Sequence, residues 1–202
     1  MLVYLIRHGE TQWNVEDRVQ GNSDSPLSPR GQAQVQRLAD RMRAEGVTRL
    51  YTSDLPRAYA TAAAIAEPSR LPVVVHRDLR EIHLGEWEGR TPEEINRHYD
   101  GAFDRWKTAP SSIAIPGSEG LPQFRQRIRQ VMETLLRHTP AGPIAVITHG
   151  GVIASLLAQL LDADFDLLLP RLRLDNGGVS IVDFNHGFHV IHTINDLRHL
   201  AA

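Results

Sequence analysis

Two histidines in this chain stand in the same local setting. Arg7-His8-Gly9-Glu10-Thr11 follows the apolar run Leu2-Val3-Tyr4-Leu5-Ile6, and Thr148-His149-Gly150-Gly151 follows Ile144-Ala145-Val146-Ile147. A short apolar run bounded by turn residues reads as a buried strand, and a glycine just after it lets the backbone turn sharply. A single imidazole at a strand mouth is usually just a hydrogen-bonded residue. Two of them, one beside an arginine, suit attack on an anion, and phosphate is the obvious candidate. If the two strands are parallel neighbours, both imidazoles reach the same sheet edge, outside the carboxyl ends of the strands, where open α/β sheets bind ligands.

Other residues could join them. Asn14 and Gln20 carry amide donors, and Gly21 offers a backbone N–H; all three suit phosphate oxygens, and all three also suit a plain turn. Arg57 falls in the first turn of a helical segment, where the helix N-terminus favours anions. A cation opposes the dipole there, so a functional role competes evenly with a surface pair to Asp54. A helix also begins at Thr148-His149-Gly150-Gly151, so its backbone amides, Gly150 among them, and the His149 imidazole face an anion. Glu81, Glu86 and Glu88 are candidates for a general acid. A loop glutamate is usually only solvated, and Glu81 is the best placed because it lies nearest a strand end.

The elements that must position these groups alternate along the chain. Strands are expected at 2–6, 49–52, 73–76, 144–148, 179–184 and 188–194, the last two joined by the hairpin signal Asn185-His186-Gly187. Helices are expected from Ser28-Pro29 through Met42, from an Asp54 cap to about Glu67, from Thr91-Pro92, over 121–136 and over 151–161. The alternation predicts an α/β fold, a doubly wound, mixed but mostly parallel sheet flanked by helices. Residues of about 80–120, with Trp87 and Trp106, break the rhythm and are expected to form a small helical lid. Residues 1–202 are read as one domain.

Composition narrows the function classes. The 22 Lys and Arg face 24 Asp and Glu, so there is no basic excess of the kind a nucleic-acid footprint needs. The absence of cysteine excludes disulfides, a thiolate nucleophile and zinc–sulfur sites, and makes the cytoplasm the expected compartment. The N-terminal apolar run is too short for a signal peptide, and residues 152–161 are too short to span a bilayer, so no membrane partner is expected. The C-terminal hairpin offers an edge strand through which a homodimer could pair.

Taken in order, the motifs identify a relative. Arg7-His8-Gly9-Glu10-Thr11 with Trp13-Asn14, Arg18-Val19-Gln20-Gly21, Ser53-Asp54-Leu55-Pro56-Arg57-Ala58 with Thr61-Ala62, Glu81 with Gly85-Glu86-Trp87-Glu88-Gly89, and His149-Gly150-Gly151 resemble the histidine phosphatases of the phosphoglycerate mutase-like superfamily over nearly the whole chain. The resemblance implies that His8 is the nucleophile. It implies that Arg7, Arg57 and His149 clamp the phosphate, with Asn14, Gln20 and the Gly21 amide assisting. Glu81 then protonates the leaving alcohol and assists hydrolysis of the phosphohistidine. Neighbouring cations would keep His8 unprotonated, and two arginines would grip the equatorial oxygens through bidentate contacts. No metal or other cofactor is implied.

Within that resemblance, the mutase branch has a longer chain with an Ala-Leu-x-Gly-Leu-Asn-Lys type of segment near the acid. This chain has Ile82-His83-Leu84-Gly85-Glu86-Trp87-Glu88-Gly89, the short form similar to the phosphatase branch. The expected activity is a metal-independent phosphomonoesterase acting on a small phosphorylated metabolite. A mutase, or a non-catalytic phosphate-binding module on the same fold, is the alternative. One departure stands out: where the phosphatase pattern has Gly-Gly-Glu-Ser, this chain has Pro116-Gly117-Ser118-Glu119-Gly120. Trp87, Trp106, Phe103, Ile113 and Ile115 are expected as apolar walls of the substrate pocket, with His83 and Arg105 as polar options.

Overall fold

Burial on both faces organises the sheet. The computed structural model describes residues 1–139, 142–185 and 188–201. In chain order the strands are β1 (Leu2–Arg7), β2 (Arg49–Thr52), β3 (Val73–Val75), β4 (Ile144–Thr148), β5 (Val179–Asn185) and β6 (Phe188–Asp196), lying side by side as β3-β2-β4-β1-β5-β6. The first four run parallel, and β5 and β6 are antiparallel additions. The fold is therefore the expected α/β arrangement, a mixed and mostly parallel sheet. Asn185 pairs with Phe188; residues 186 and 187 of the expected turn lie outside the described residues.

Strand β4 is buried along its whole length, as expected of a parallel strand covered on both faces. Alternate residues enter two cores. Tyr4, Ile6, Ala145 and Ile147 pack with Leu38, Met42, Ala58, Ala62 and Ile65 of α2 (Pro29–Ala44) and α3 (Pro56–Ala66). Val3, Leu5, Ile144 and Val146 pack with Phe124, Ile128, Met132, Val152 and Leu156 of α6 (Leu121–His138) and α7 (Gly150–Leu160) on the other face. The remaining helices are short: α1 (Gln12–Val15), α4 (Pro92–His98), α5 (Ala102–Thr108) and α8 (Phe165–Leu168). No helix among the described residues is long and apolar enough to cross a membrane.

The local signals at α2 and α4 behave as expected. The Ser28 side chain accepts from Gly31 N–H with Pro29 opening α2, and Thr91 and Glu94 form a reciprocal capping box at α4. The Asp54 cap is corrected. Leu55 occupies the N-cap of α3 without a side-chain bond, because both Asp54 carboxylate oxygens accept from Arg80, at 2.6 and 2.7 Å. A paired, charge-assisted fork outcompetes a single neutral cap bond.

Gly9 serves packing rather than a left-handed turn, since its φ is not positive. A Cβ there would lie 3.0 Å from the Gly31 carbonyl and 2.9 Å from Val35. Across the same contact, a Cβ on Gly31 would fall inside the Glu10 carbonyl. Helix propensity alone favours alanine over glycine by about 1 kcal/mol. At position 31 the sign reverses, because the obstacle is backbone. Gly31→Ala is expected to lower the midpoint of thermal unfolding by several degrees, about 3–10 °C; an unchanged or raised midpoint would contradict this packing.

Candidate active site

Register alone brings the two histidines together. Arg7 on β1 pairs with Thr148 on β4, so the next residues, His8 and His149, emerge side by side. Their ring centroids are 5.2 Å apart, and both rings are buried. His8 N–H donates to the Thr148 carbonyl at 3.0 Å, which locks the two strand ends.

Two contacts define the His8 tautomer. Its Nδ1 lies 2.8 Å from the Gly9 carbonyl, which can only accept. Arg57 Nε, which can only donate, is 3.2 Å from its Nε2. The proton therefore sits on Nδ1 and the lone pair on Nε2. Burial first, then the Arg57 and Arg7 guanidinium groups, hold the His8 pKa well below the ordinary imidazole range. The sequence pointed to the cations; desolvation is the larger cause. His149 is held low in the same way by burial, then Arg57, His8 and Arg7. Neither ring nitrogen of His149 has a hydrogen-bond partner among the described residues, and neither do Arg7 Nε and Gln20 Oε1.

The arginines are held by backbone oxygens. Arg57 gives Nη1 to the Ser23 carbonyl (2.7 Å) and to Asp24 (3.0 Å), and Nη2 to the Gly21 carbonyl (2.7 Å). Its expected partner Asp54 is thus replaced by Asp24. Four of its five donors are engaged, so a bidentate grip from Arg57 is not preformed. Arg7 donates Nη1 to the Leu174 carbonyl at 2.6 Å. Asn14 closes the capping box of α1 with the N-cap Thr11, its Oδ1 accepting from Thr11 N–H, Thr11 Oγ and Asn176 Nδ2 at 3.0–3.1 Å; only its NH2 is left to offer an anion.

Of the three candidate acids, the structure brings Glu81 alone to the site. Its Oε2 accepts from Gly151 N–H at 3.0 Å and its Oε1 from Ile82 N–H at 3.0 Å. The Gly151 amide, expected to face an anion, holds this carboxylate instead. Glu86 accepts from the Tyr99 hydroxyl at 2.7 Å. Glu88 accepts from the N–H groups of Asn22, Ser23 and Leu84 and from the Ser23 hydroxyl at 2.6–2.9 Å, tying the 20–23 loop to the 84–88 segment.

A cavity of about 280 Å³ is lined at its polar end by Arg7, His8, Asn14, Gln20, Gly21, Arg57, Glu81 and Gly151, and the expected clamp His149 lies just behind His8, outside the lining. Gly150 sits behind, where an added Cβ would lie 3.7 Å from Arg7 Nε. Val19, Leu84, Phe103, Trp106, Leu121 and Phe165 are among the apolar walls. Phe103 stacks on Trp106 (5.9 Å), and both contact Trp87. Ile113, Ile115, His83 and Arg105 do not line this cavity; Ile115 is buried elsewhere, and His83 lies 3.8 Å from Glu88.

Residues 3–197 match the model of the histidine phosphatase superfamily (branch 1). The chain belongs to that superfamily. It is 33% identical to the probable phosphoglycerate mutase GpmB of Cronobacter sakazakii, over 99% of this chain and 95% of that one. Among solved structures it is similar to YhfR of Bacillus stearothermophilus (34% identity, TM-score 0.93, 98% of each chain). It is also similar to a mycobacterial glucosyl-3-phosphoglycerate phosphatase in complex with VO3 (31% identity, TM-score 0.88, 96% of this chain and 98% of that one).

Asn176, and the hold of Gly151 on the acid, were not read from the sequence. Asn176 Nδ2 donates to the His8 carbonyl at 3.1 Å, and Gly177 N–H donates to the Arg7 and His8 carbonyls, so a loop just before β5 braces the histidine from behind. The only local signal was Asn-Gly-Gly, which reads as a turn and does not say what it touches.

Two outcomes follow for this superfamily member. A Cβ on Gly151 would overlap Glu81 Oε1, and a flexible carboxylate can yield more easily than backbone. Gly151→Ala is expected to keep its unfolding midpoint while kcat/KM on an alkyl phosphate drops on the order of a hundredfold; a lowered midpoint with normal turnover would contradict the assignment. Because the His8 pKa is depressed, its ring is neutral above that value. NMR of the labelled ring should show the neutral Nδ1–H form at pH 6, and half-protonation at or above the reference value of about 6.5 would contradict it.

Proposed function

We propose that this chain is a phosphomonoester hydrolase that works through a phosphohistidine at His8, on a small phosphorylated metabolite whose alcohol carries an apolar body. The observation that carries the reading is the His8 Nε2 lone pair at the cavity's polar end, touched only by Arg57 Nε among the described residues, with the His149 ring 5.2 Å away and Arg7 Nε and both His149 nitrogens without a hydrogen-bond partner among the described residues. A neutral imidazole with its proton fixed on Nδ1 is a competent nucleophile at Nε2.

In the first step the Nε2 lone pair bonds to phosphorus and the P–O ester bond breaks. The electron pair leaves on the alcohol oxygen, which takes the proton of Glu81 in its acid form. As Nε2 commits its lone pair, the Arg57 Nε–H that rested on it turns to an equatorial phosphoryl oxygen. Arg7 Nε, His149 and the Asn14 and Gln20 amides surround the other oxygens, supplying positive charge where negative charge is spread. In the second step water attacks phosphorus, its proton passes to the Glu81 carboxylate, and the N–P bond breaks. Positioning and charge account for both steps. A cytoplasmic setting belongs to the same reading.

The cavity supports hydrolysis of an apolar ester over exchange between phosphoglycerates. Besides Arg7 and Arg57, its cationic lining residue is Arg18, and Arg18 already donates to Glu16, the Gly89 carbonyl and Glu94. A substrate carboxylate would meet mostly aromatic and aliphatic wall. Mutase activity is the second reading, favoured by the name of the relative from Cronobacter sakazakii.

In chelator, the purified protein is expected to release phosphate from 2-phenylethyl phosphate with kcat/KM about tenfold or more above that for 3-phosphoglycerate. His8→Ala is expected to lose activity by on the order of a thousandfold or more. Interconversion of 2- and 3-phosphoglycerate without phosphate release would make the protein a mutase. Failure to trap labelled phosphate on His8 would leave a binding module.

A further inference from the structure

We infer that Glu119 and Arg127 are positioning residues for the general acid, a buttress that fixes the backbone of Glu81 from outside the cavity. The inference rests on the reading of Glu81 as the proton donor, and it gives Glu119 of the departing 116–120 loop a role.

Glu81 has a weak local hold. Residues 81–84 belong to no helix or strand, so no ladder of backbone bonds fixes them, and a loop of this kind is mobile unless side chains restrain it. A proton donor that drifts by about 1 Å forfeits much of its effect.

Arg127, on α6, supplies the missing restraint. Its Nη1 donates to the carbonyls of Asp78 (2.9 Å) and Arg80 (2.7 Å), and its Nη2 to the carbonyl of Glu81 (2.9 Å). The remaining Nη2 and Nε protons go to the two oxygens of Glu119, at 2.7 and 2.9 Å. All five guanidinium donors are therefore engaged, three of them on the backbone around the acid. Glu119 Oε1 also accepts from His83 N–H at 2.8 Å. Together the two side chains hold residues 78, 80, 81 and 83, and the Gly151 amide holds the Glu81 carboxylate itself.

Neither Glu119 nor Arg127 lines the cavity, so neither touches substrate. The link to the cavity is indirect: the Arg127 guanidinium lies 4.8 Å from the centroid of Phe124, and Phe124 is fully buried and forms part of the cavity wall. Both charged side chains are about four-fifths buried. A lysine at 127 would keep the charge but, as a point donor, could not span three carbonyls and a carboxylate.

Leaving-group dependence separates positioning from general structural damage. An alkyl phosphate needs the Glu81 proton to release its alkoxide, whereas p-nitrophenyl phosphate releases a stable phenolate without it. The ratio kcat/KM ends at release of the alcohol, so it does not register the later hydrolysis of phosphohistidine. Wild type, Arg127→Lys, Glu119→Gln and the milder Glu119→Asp are assayed on both esters below their measured unfolding midpoints, with Glu81→Gln as reference. Arg127→Lys and Glu119→Gln should lose about 10- to 100-fold on 2-phenylethyl phosphate and no more than about threefold on p-nitrophenyl phosphate, with Glu119→Asp losing less and Glu81→Gln more. Equal losses on the two esters, or no loss on either, would overturn the inference. If Glu81→Gln itself shows no leaving-group dependence, the fault lies in the reading of Glu81 as the acid rather than in its buttress.

Discussion

Two guanidinium groups and two imidazoles crowd together at the carboxyl ends of β1 and β4, and their mutual electrostatics govern the site. Arginine keeps its charge in any protein setting, although burial lowers the pKa of both Arg7 and Arg57. The imidazoles are the groups that yield. Desolvation and the two cations hold both rings neutral. The field that would bind an oxyanion is therefore the same field that keeps His8 free of a second proton. Among the described ion pairs, Asp24 on Arg57 is the one that reaches these two arginines.

Crowding like charges demands restraint, and carbonyl oxygens provide most of it. Gly21, Ser23 and Leu174 accept from the arginines, Gly9 from His8, and the His8 carbonyl accepts from Asn176 and Gly177. A carbonyl orients a cation without cancelling its charge, as a carboxylate would. The loop before β5, the loop after α1 and the close contact of Gly9 with α2 enclose the histidine from three directions.

The acids near the site illustrate how one residue type divides its tasks by environment. Glu81 meets two backbone N–H groups and the cavity. Glu88 is saturated by four donors and joins two segments, and Glu119 accepts three bonds, from a guanidinium and an amide. A carboxylate tied on both oxygens and turned away from the cavity is a strut, and one left facing a cavity can exchange a proton.

The strands, the main helices and the pairing of His8 with His149 were legible in the linear chain. They depend on short apolar runs, capping residues and motif order, all of which act within a few positions. So was the placing of Glu81, rather than Glu86 or Glu88, at the cavity, through its nearness to a strand end. What stayed hidden were partners distant along the chain. Asp54 looks like a helix cap until Arg80 takes both of its oxygens. Arg57 finds Asp24 rather than its near neighbour. Glu81 is held by Gly151 and Arg127, and His8 by Asn176. Hydrogen bonds between remote segments form only once the sheet has set its register, so the residue types determined which chemistry was available, and the folded geometry decided which copy of each type performs it.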